Sequence, residues 1–394
     1  MIKQKLLIAA VVMLAGLVAV SSTTAEEGVT DTEIHIGQTG PLSGPARIWG
    51  GTVKGAALRF KMANEAGGIH GRKIIHHTYD DAYNPARTKA GVKRLQESIG
   101  MFAWLGGVGT SNGLAVMDYL VQRQIPWVGP FSGSDVWYDP PRKSVFSLYP
   151  PYKFEAETLC EYAISEQGHK NIAIVYQDDG YGRNGLAGAE KAVKKYNLNL
   201  AAAVPVGRSD IDFSSVVVRL KNAEAEAVLL WISPFSALRL LKVAQQAGLT
   251  PQWMTSSSLS SFSTFYPLSH GLVKGLISVN YTTFDKKIVD NFKTAQKKLA
   301  PEDNWDTTYG AGIGYADCMV EALERCGRNL TRERFIRALE GIKGYQSMGP
   351  AITFASYDPD DPLCRLGARA IYLQQCLEGG QARILTDWIK MNPN

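Results

Sequence analysis

The stretch that decides the fold runs from Glu33 to Gly51 and reads EIHIGQTGPLSGPARIWGG. It begins with the apolar–polar alternation that is typical of a β-strand. The alternation breaks at Gly37, and a loop of Gly, Pro and Ser with one large aromatic residue, Trp49, follows. From Val53 onward, apolar residues recur at helical spacing. A strand, a small-residue loop and a helix start can present backbone N–H groups to a ligand, although ordinary turns of α/β domains share this pattern.

Strands and helices alternate along most of the chain. Apolar runs such as Lys73–Thr78, Phe102–Val108 and Asn171–Tyr176 predict strands, and a polar or glycine-rich turn and a helix pattern come after each. This alternation predicts parallel sheets that helices cover on both faces. The last third carries three helix patterns and two short strand patterns, at Lys286–Leu299, Thr307–Arg325, Thr331–Ile342, Ala351–Phe354 and Ala368–Leu373. At 394 residues, we expect two lobes rather than one core.

The N-terminal segment, residues 1–25, has the features of a secretory signal peptide. Lys3 and Lys5 precede an apolar run from Leu6 to Val20, and small residues end at Ala25, where we expect cleavage. The run is shorter than a membrane span requires, and no second run is long enough, so we expect a soluble mature chain without a membrane anchor. Its net charge is small and no basic block stands out, which argues against nucleic-acid binding.

Several motifs resemble one known family. The segments GPLSGPARIWG (40–50) and KGAALRFKMANEAGGIHGRKI (54–74), together with DGYGRNG (179–185), resemble the periplasmic solute-binding proteins of branched-chain amino acid ABC transporters. The resemblance implies two Rossmann-like lobes with central parallel sheets, joined by a hinge of three strands. It places lobe 1 at 28–148 plus 281–347, lobe 2 at 149–280 plus 348–394, and the crossings near Leu148–Tyr149, Val279–Tyr281 and Met348–Gly349.

The loops that follow two predicted strands supply candidate ligand-binding residues. Thr110 and Ser111 begin a helix, and Ser132 and Gly133 lie in the loop after the next strand, so hydroxyls and free N–H groups there could bind a carboxylate. In the resembling family these two loops hold the carboxylate of the ligand. The resemblance also matches Trp49 and Tyr181 to aromatic residues that cover the ligand from either lobe, although plain packing is the alternative. Phe131 and Phe235 are further candidates for the lining of the pocket.

One position departs from the family pattern. Amino-acid binders of this family place an acid after the strand that here reads PQWM (251–254), where it pairs with the ammonium group of the ligand. The corresponding residue is Ser257. A buried ammonium without a charged partner is unfavourable by several kcal/mol. The interpretation is therefore that the ligand is a small carboxylate, either like a branched-chain amino acid or, better suited to these residues, an amine-free apolar or aromatic acid.

A competing motif predicts a different class of protein. Gly109-Thr110-Ser111-Asn112-Gly113 fits G-x-S-x-G and lies between a predicted strand and a helix, as in the nucleophile turn of serine hydrolases. The alternative function is therefore a secreted serine hydrolase that uses Ser111. The later histidines, His169 and His270, do not lie in convincing strand-end loops, so binding without chemistry is the preferred interpretation.

The five cysteines show no metal-ligand spacing, and no cofactor motif is present. Cys364 and Cys376 flank a predicted strand and are the first candidates for a disulfide, which the periplasm would permit. The resemblance implies as partners the permease subunits of an ABC transporter and their cytoplasmic ATPases, a small-molecule carboxylate as ligand, and a monomer in the periplasm.

Overall fold

The first sheet contains five parallel strands in the spatial order β2-β1-β3-β4-β5. The computed structural model describes residues 26–44 and 46–392, so the predicted signal peptide lies outside the described residues. The strands are β1 (Glu33–Gly40), β2 (Lys73–Asp80), β3 (Ala103–Leu105), β4 (Trp127–Val128) and β5 (Val145–Phe146). In β1, Ile34 and Ile36 are fully buried, as expected for a strand that helices cover on both faces.

The second sheet contains eight strands, with the order β12-β11-β10-β9-β8-β6-β7 and β13 paired to β11. They are β6 (Ile172–Gln177), β7 (Ala202–Val206), β8 (Ala227–Trp231), β9 (Gln252–Thr255), β10 (Ile277–Asn280), β11 (Ala370–Cys376), β12 (Ala382–Ile384) and β13 (Ile389–Lys390). The five strands from β6 to β10 run parallel, whereas β11 and β12 join one edge in antiparallel pairing. The C-terminal tail therefore belongs to the second sheet.

Helices connect the strands and cover the sheets. They are α1 (Gly51–Glu65), α2 (Pro85–Ser98), α3 (Thr110–Gln122), α4 (Tyr152–Ser165), α5 (Gly180–Lys195), α6 (Ser214–Asn222), α7 (Pro234–Gln246), α8 (Phe262–Leu268), α9 (Lys286–Leu299), α10 (Thr307–Cys326) and α11 (Arg332–Glu340). The late helix α10 packs closely on α1. A Cβ atom at Gly55 would lie 2.0 Å from the carbonyl oxygen of Tyr309, so glycine permits this close approach.

Three segments of chain meet between the sheets. The rings of Tyr149 and Tyr281 lie with their centroids 4.8 Å apart, and the backbone N–H of Thr283 donates to the carbonyl of Met348 at 3.0 Å. These contacts involve the three crossings that the resemblance implies. Because the chain passes between the lobes here, a rotation of one lobe against the other would require backbone changes in these segments.

Two local expectations are wrong. The segment 351–354 forms no strand, because Ile352 makes only an isolated bridge to Tyr345. The predicted disulfide between Cys364 and Cys376 is absent, since all five cysteines are free thiols. Cys364 lies in a short 3-10 turn, whereas Cys376 ends β11 inside the second lobe. Within the part of the chain that the structure describes, no helix is both long and apolar enough to cross a membrane.

Candidate functional site

The two lobes enclose a cavity next to the three crossing segments. Its walls come from both lobes and consist of Trp49, Tyr83, Val108, Gly109, Phe131, Tyr149, Tyr152, Tyr181, Ser257, Ser258, Tyr281, Thr307, Thr308 and Ala311. The lining therefore combines aromatic rings with hydroxyl groups and contains no charged side chain. Its free volume is about 20 Å³, which is space for about one water molecule. An organic ligand can therefore enter only if the lobes separate.

Aromatic rings form a continuous array around the cavity. Tyr149 lies at its centre, with its ring centroid 5.2 Å from that of Phe131 and 5.1 Å from that of Tyr152. The ring centroids of Tyr152 and Tyr181 are in turn 5.0 Å apart. Burial raises the pKa of Tyr149, Tyr152 and Tyr181, so their hydroxyls remain protonated at physiological pH. These side chains offer an apolar surface with neutral hydrogen-bonding groups.

The turn after β2 places another tyrosine, Tyr83, in the wall. The carboxylate of the fully buried Asp81 accepts hydrogen bonds from the Tyr83 N–H and from the Thr88 hydroxyl, both at 2.8 Å. Burial raises the pKa of Asp81. The Tyr83 ring then packs edge-on against Trp49, with centroids 5.2 Å apart. Asp81 thus fixes the turn that holds one aromatic wall of the cavity.

The N-terminus of α3 points its backbone N–H groups toward the same region. Gly109 precedes the helix with φ of 100°, a conformation that favours glycine, and it lines the cavity. No side chain of the described residues caps this helix. The hydroxyls of Thr110 and Ser132 lie 2.8 Å apart and are both buried. A helix N-terminus with neighbouring hydroxyls is suited to bind an anion such as a carboxylate.

The wall from the second lobe is a serine-rich turn after β9. The hydroxyl of Ser258 lies 2.8 Å from the Tyr181 hydroxyl. The Ser257 hydroxyl lies 2.6 Å from the Tyr149 hydroxyl and 2.6 Å from Oε1 of Glu155, a fully buried residue in the first turn of α4. Ser257 thus faces the cavity on one side and a buried acid on the other.

Polar contacts join the two lobes on one side of the cavity. Arg208 forms an ion pair with Asp179 in its own lobe at 2.7 Å. The same guanidinium donates to the Tyr83 carbonyl at 3.2 Å and to the side-chain oxygen of Asn112 at 3.3 Å, both in the first lobe. Asp179 also accepts a hydrogen bond from the Ser111 hydroxyl at 3.2 Å. These contacts hold the lobes together on one side of the site.

The structure brings most of the predicted site residues to this region, in two groups. Trp49, Phe131, Tyr181 and Ser257 line the cavity. Thr110, Ser111, Ser132 and Gly133 lie beside it, next to the lining residues Gly109 and Phe131, without forming its wall. Phe235 does not line it; the guanidinium of Arg47 lies 5.2 Å from the centre of its ring.

Sequence reasoning missed four tyrosines of the lining and the acid behind it. These residues are Tyr83, Tyr149, Tyr152, Tyr281 and Glu155. Tyr149 and Tyr281 lie in the predicted crossings, and Tyr83 lies just after the end of a parallel strand, so their positions did carry a signal. Glu155 carried none, because an acid in the first turn of a helix normally faces solvent.

The surroundings of Ser111 do not support the predicted alternative, a serine hydrolase. The side-chain partner of the Ser111 hydroxyl is the carboxylate of Asp179, which also pairs with Arg208. A serine nucleophile needs a general base within hydrogen-bond reach. Among the described residues, no group of His, Cys, Asp and Glu side chains is arranged to hold a metal ion either.

Comparison with known proteins identifies the family. The family model described as periplasmic binding protein matches residues 33–380. The chain therefore belongs to the periplasmic binding protein family, whose members are solute-binding proteins rather than enzymes. The predicted family is confirmed, and the serine hydrolase alternative has no support.

Individual relatives agree with this assignment. The chain is 31% identical over 215 residues to Leu/Ile/Val-binding protein homolog 3 of Brucella melitensis, a match that covers 54% of this chain and 57% of that protein. It is 22% identical to the leucine-specific-binding protein of Salmonella typhimurium, over 82% of this chain and 87% of that protein. The structure of a fatty acid ABC transporter substrate-binding protein from Thermomonospora curvata superposes with a TM-score of 0.81 at 23% identity, over 93% of this chain and 94% of that chain. The predicted two-lobed α/β fold is confirmed.

Proposed function

We propose that this protein captures a small carboxylate-bearing ligand between its lobes and delivers it to the permease of an ABC importer. The observation that carries the proposal is the cavity between the lobes, with an aromatic, uncharged lining and a helix N-terminus beside it. The rings would hold an apolar or aromatic body, and the N–H groups of α3 with the hydroxyls of Thr110 and Ser132 would bind the carboxylate.

Two ligand classes fit this chemistry. Relatives named for leucine, isoleucine and valine favour a branched-chain amino acid. The lining favours an amine-free apolar or aromatic acid, because it offers no charged partner to an ammonium group. Fatty acids belong to this second class, and one structural neighbour is named as a fatty acid ABC transporter substrate-binding protein. We favour the amine-free acid.

The proposed cycle has an export step, an opening and closing step, and a delivery step. Residues 1–25 would direct export and be removed, so that the monomeric protein acts in the periplasm. Ligand would enter when the lobes separate and would shift the population toward the closed form, in which contacts such as those of Arg208 form. The permease, with its cytoplasmic ATPase subunits, would recognise the closed form.

A thermal-shift screen of the chain that starts after Ala25 tests the proposal. The compounds are leucine, valine and phenylalanine, the 2-hydroxy acid analogue of each, and benzoate. At about 100 times its dissociation constant, a ligand adds about 2.7 kcal/mol to the free energy of unfolding and raises Tm by several degrees. We expect the amine-free acids to raise Tm. A rise with the amino acids alone would assign the other ligand class, and no rise with any compound would contradict the proposal.

The Ser111→Ala variant separates binding from hydrolysis. We expect weaker affinity, because the hydrogen bond from Ser111 to Asp179 joins the lobes. We expect no ester hydrolysis by either the wild-type protein or the variant. Hydrolysis by the wild-type protein that disappears in the variant would contradict a function in binding alone.

A further inference from the structure

The buried acid behind the cavity, Glu155, has an unusual set of partners. Its Oε2 accepts a hydrogen bond from the backbone N–H of Ser257 at 3.1 Å, and its Oε1 lies 2.6 Å from the Ser257 hydroxyl. No cationic side chain of the described residues forms an ion pair with it. A carboxylate that is removed from water without a cation is strongly destabilised, so the acid and its proton need an explanation.

Three oxygen atoms in sequence connect this acid to the ligand cavity. They are Oε1 of Glu155, the hydroxyl of Ser257 and the hydroxyl of Tyr149, with 2.6 Å between each pair of neighbours. We call these three side chains the relay. Each hydroxyl carries one hydrogen, so the direction of every hydrogen bond in the relay depends on whether Glu155 carries a proton.

The two protonation states present opposite groups to a ligand. If Glu155 is ionised, Ser257 donates to the acid and Tyr149 donates to Ser257, so Tyr149 offers only lone pairs to the cavity. If Glu155 is protonated, it donates to Ser257, Ser257 donates to Tyr149, and the Tyr149 O–H is free for the ligand. The backbone N–H of Ser257 fits both states, because Oε2 accepts in either.

The surroundings of Glu155 favour the protonated state. The titratable groups that face it are tyrosines, namely Tyr149, Tyr152, Tyr181, Tyr281 and Tyr315, from its own helix, from α5 and α10, and from two crossing segments. None of them supplies a positive charge. Burial raises the pKa of Glu155 to about 8, so the neutral acid predominates at pH 7. The Tyr149 hydroxyl is then a hydrogen-bond donor toward the cavity.

We infer that the relay selects a carboxylate ligand that also bears an uncharged oxygen, a hydroxyl or a carbonyl, over its α-amino acid counterpart. The oxygen of such a ligand accepts the hydrogen bond of the Tyr149 O–H. An ammonium group would instead face the donating O–H of Tyr149. It could be accommodated only if Glu155 lost its proton and the hydrogen bonds of the relay reversed their direction. The inference rests on the proposed function, since it names the ligand class of the same cavity.

Matched pairs of compounds test the selection. The pairs are leucine with 2-hydroxy-4-methylpentanoate and phenylalanine with 3-phenyllactate, measured by calorimetric titration at pH 7 and pH 9. The value pH 7 is about one unit below the pKa of Glu155. We therefore expect the dissociation constant of the hydroxy acid at pH 7 to be at least about tenfold lower than that of the matching amino acid. The preference should shrink at pH 9, where the relay reverses. Tighter binding of the amino acids at pH 7, or a preference that does not change with pH, would overturn the inference.

Variants assign the pH dependence to the relay. In Glu155→Gln the amide donates to Ser257 but cannot ionise, so hydroxy-acid affinity should persist at pH 7 and change less than twofold between pH 7 and pH 9. In Ser257→Ala the relay is broken, and both the preference and its pH dependence should disappear. The control is Ser258→Ala. Ser258 lies in the same wall, but its hydroxyl contacts Tyr181 rather than Glu155, so the pH dependence of this variant should match that of the wild type. A wild-type pH profile in Glu155→Gln would contradict the relay.

A measurement without ligand separates this inference from the proposed function. The infrared absorption of a protonated carboxyl group should appear at pH 7 in the difference between wild-type protein and Glu155→Gln, and should disappear as the pH rises past about 8. An ionised Glu155 at pH 7 would overturn the relay even if the compounds bind. If the band is present but no compound binds, the proposed function fails and the ligand selection fails with it.

Discussion

Trp49 and Ser258 are joined across the cavity by a hydrogen bond: the indole Nε1–H donates to the Ser258 carbonyl oxygen at 2.9 Å. The two residues are 209 positions apart in the chain and belong to different lobes. Trp49 is 4% exposed, so the bond is shielded from water. One side chain therefore forms part of the cavity wall and also holds the lobes together.

We expect Trp49→Phe to weaken ligand binding by about fivefold to tenfold. The ring remains, but the lost hydrogen bond contributes about 1 kcal/mol to the closed form. The dissociation constant for the tightest-binding compound of the screen measures the effect. Trp305→Phe is the control, because Trp305 does not line the cavity and its ring packs against Tyr309. An equal loss in both variants would contradict the role given to Trp49.

We expect Arg208→Ala to favour the open form. The variant removes the hydrogen bonds from the guanidinium to the Tyr83 carbonyl and to Asn112 in the first lobe, which together contribute about 1–3 kcal/mol. Small-angle X-ray scattering should show a larger radius of gyration, and ligand affinity should fall. Arg183→Ala is a matched control from the same lobe, since Asp178, an exposed residue, is the one ion-pair partner of Arg183 among the described residues. A compact Arg208→Ala protein with unchanged affinity would contradict this prediction.

We expect the free energy of unfolding to fall between about pH 4.5 and pH 8 because of Glu155. The pKa of Glu155 is about 8 in the folded protein and 4.5 is its ordinary value. Over this interval the folded state binds more protons than the unfolded state, so a rise in pH favours unfolding, by a total on the order of 5 kcal/mol. Urea unfolding at a series of pH values should show this decline in the wild-type protein relative to Glu155→Gln. A difference between the two that does not vary with pH would contradict the burial of an acid here.

We expect Gly55→Ala to destabilise the first lobe by about 2 kcal/mol or more. The new methyl group would overlap the Tyr309 carbonyl and force α1 away from α10. Gly341→Ala is the control, because Gly341 has a φ of −80° and its Cβ would meet its nearest neighbour at an ordinary 3.4 Å. That variant should change the free energy of unfolding by less than about 1 kcal/mol. Chemical denaturation of both proteins measures the difference.

We expect all five cysteines to react as thiols after denaturation without a reducing agent. In the folded protein they should react slowly, because four of them are buried and the fifth is partly buried. A thiol-reagent titration in the two states measures both quantities. Three thiols instead of five in the denatured protein would show a disulfide that the structure does not contain.

Much of the fold could be predicted because local patterns of apolar residues indicate its strands and helices. Buried parallel strands such as β6 have continuous apolar sequences, and the pattern at Lys286–Leu299 matches α9 residue for residue. The strand β7 was missed. Its five residues between loops carry too little periodicity to be distinguished.

The candidate site was only partly predictable, for a physical reason. Trp49 and Tyr181 come shortly after β1 and β6, in segments whose composition is typical of strand-end turns, so the sequence pointed to them. Glu155 acquires its environment from Ser257, which is 102 positions away, and from tyrosines of other elements. Such a contact depends on the packing of elements and leaves no periodic signal in the chain. The disulfide prediction failed for the same reason, since sequence spacing does not give a distance in space.

The interleaving of the chain between the two sheets has a consequence for synthesis. The first lobe needs α10, which ends at Cys326, and the second lobe needs β11, which starts at Ala370. Neither lobe can therefore complete its core on the ribosome until most of the polypeptide has been made, and many contacts link distant positions. Native folding is therefore deferred to the end of translation, and the proposed export step would receive a chain that has not yet folded.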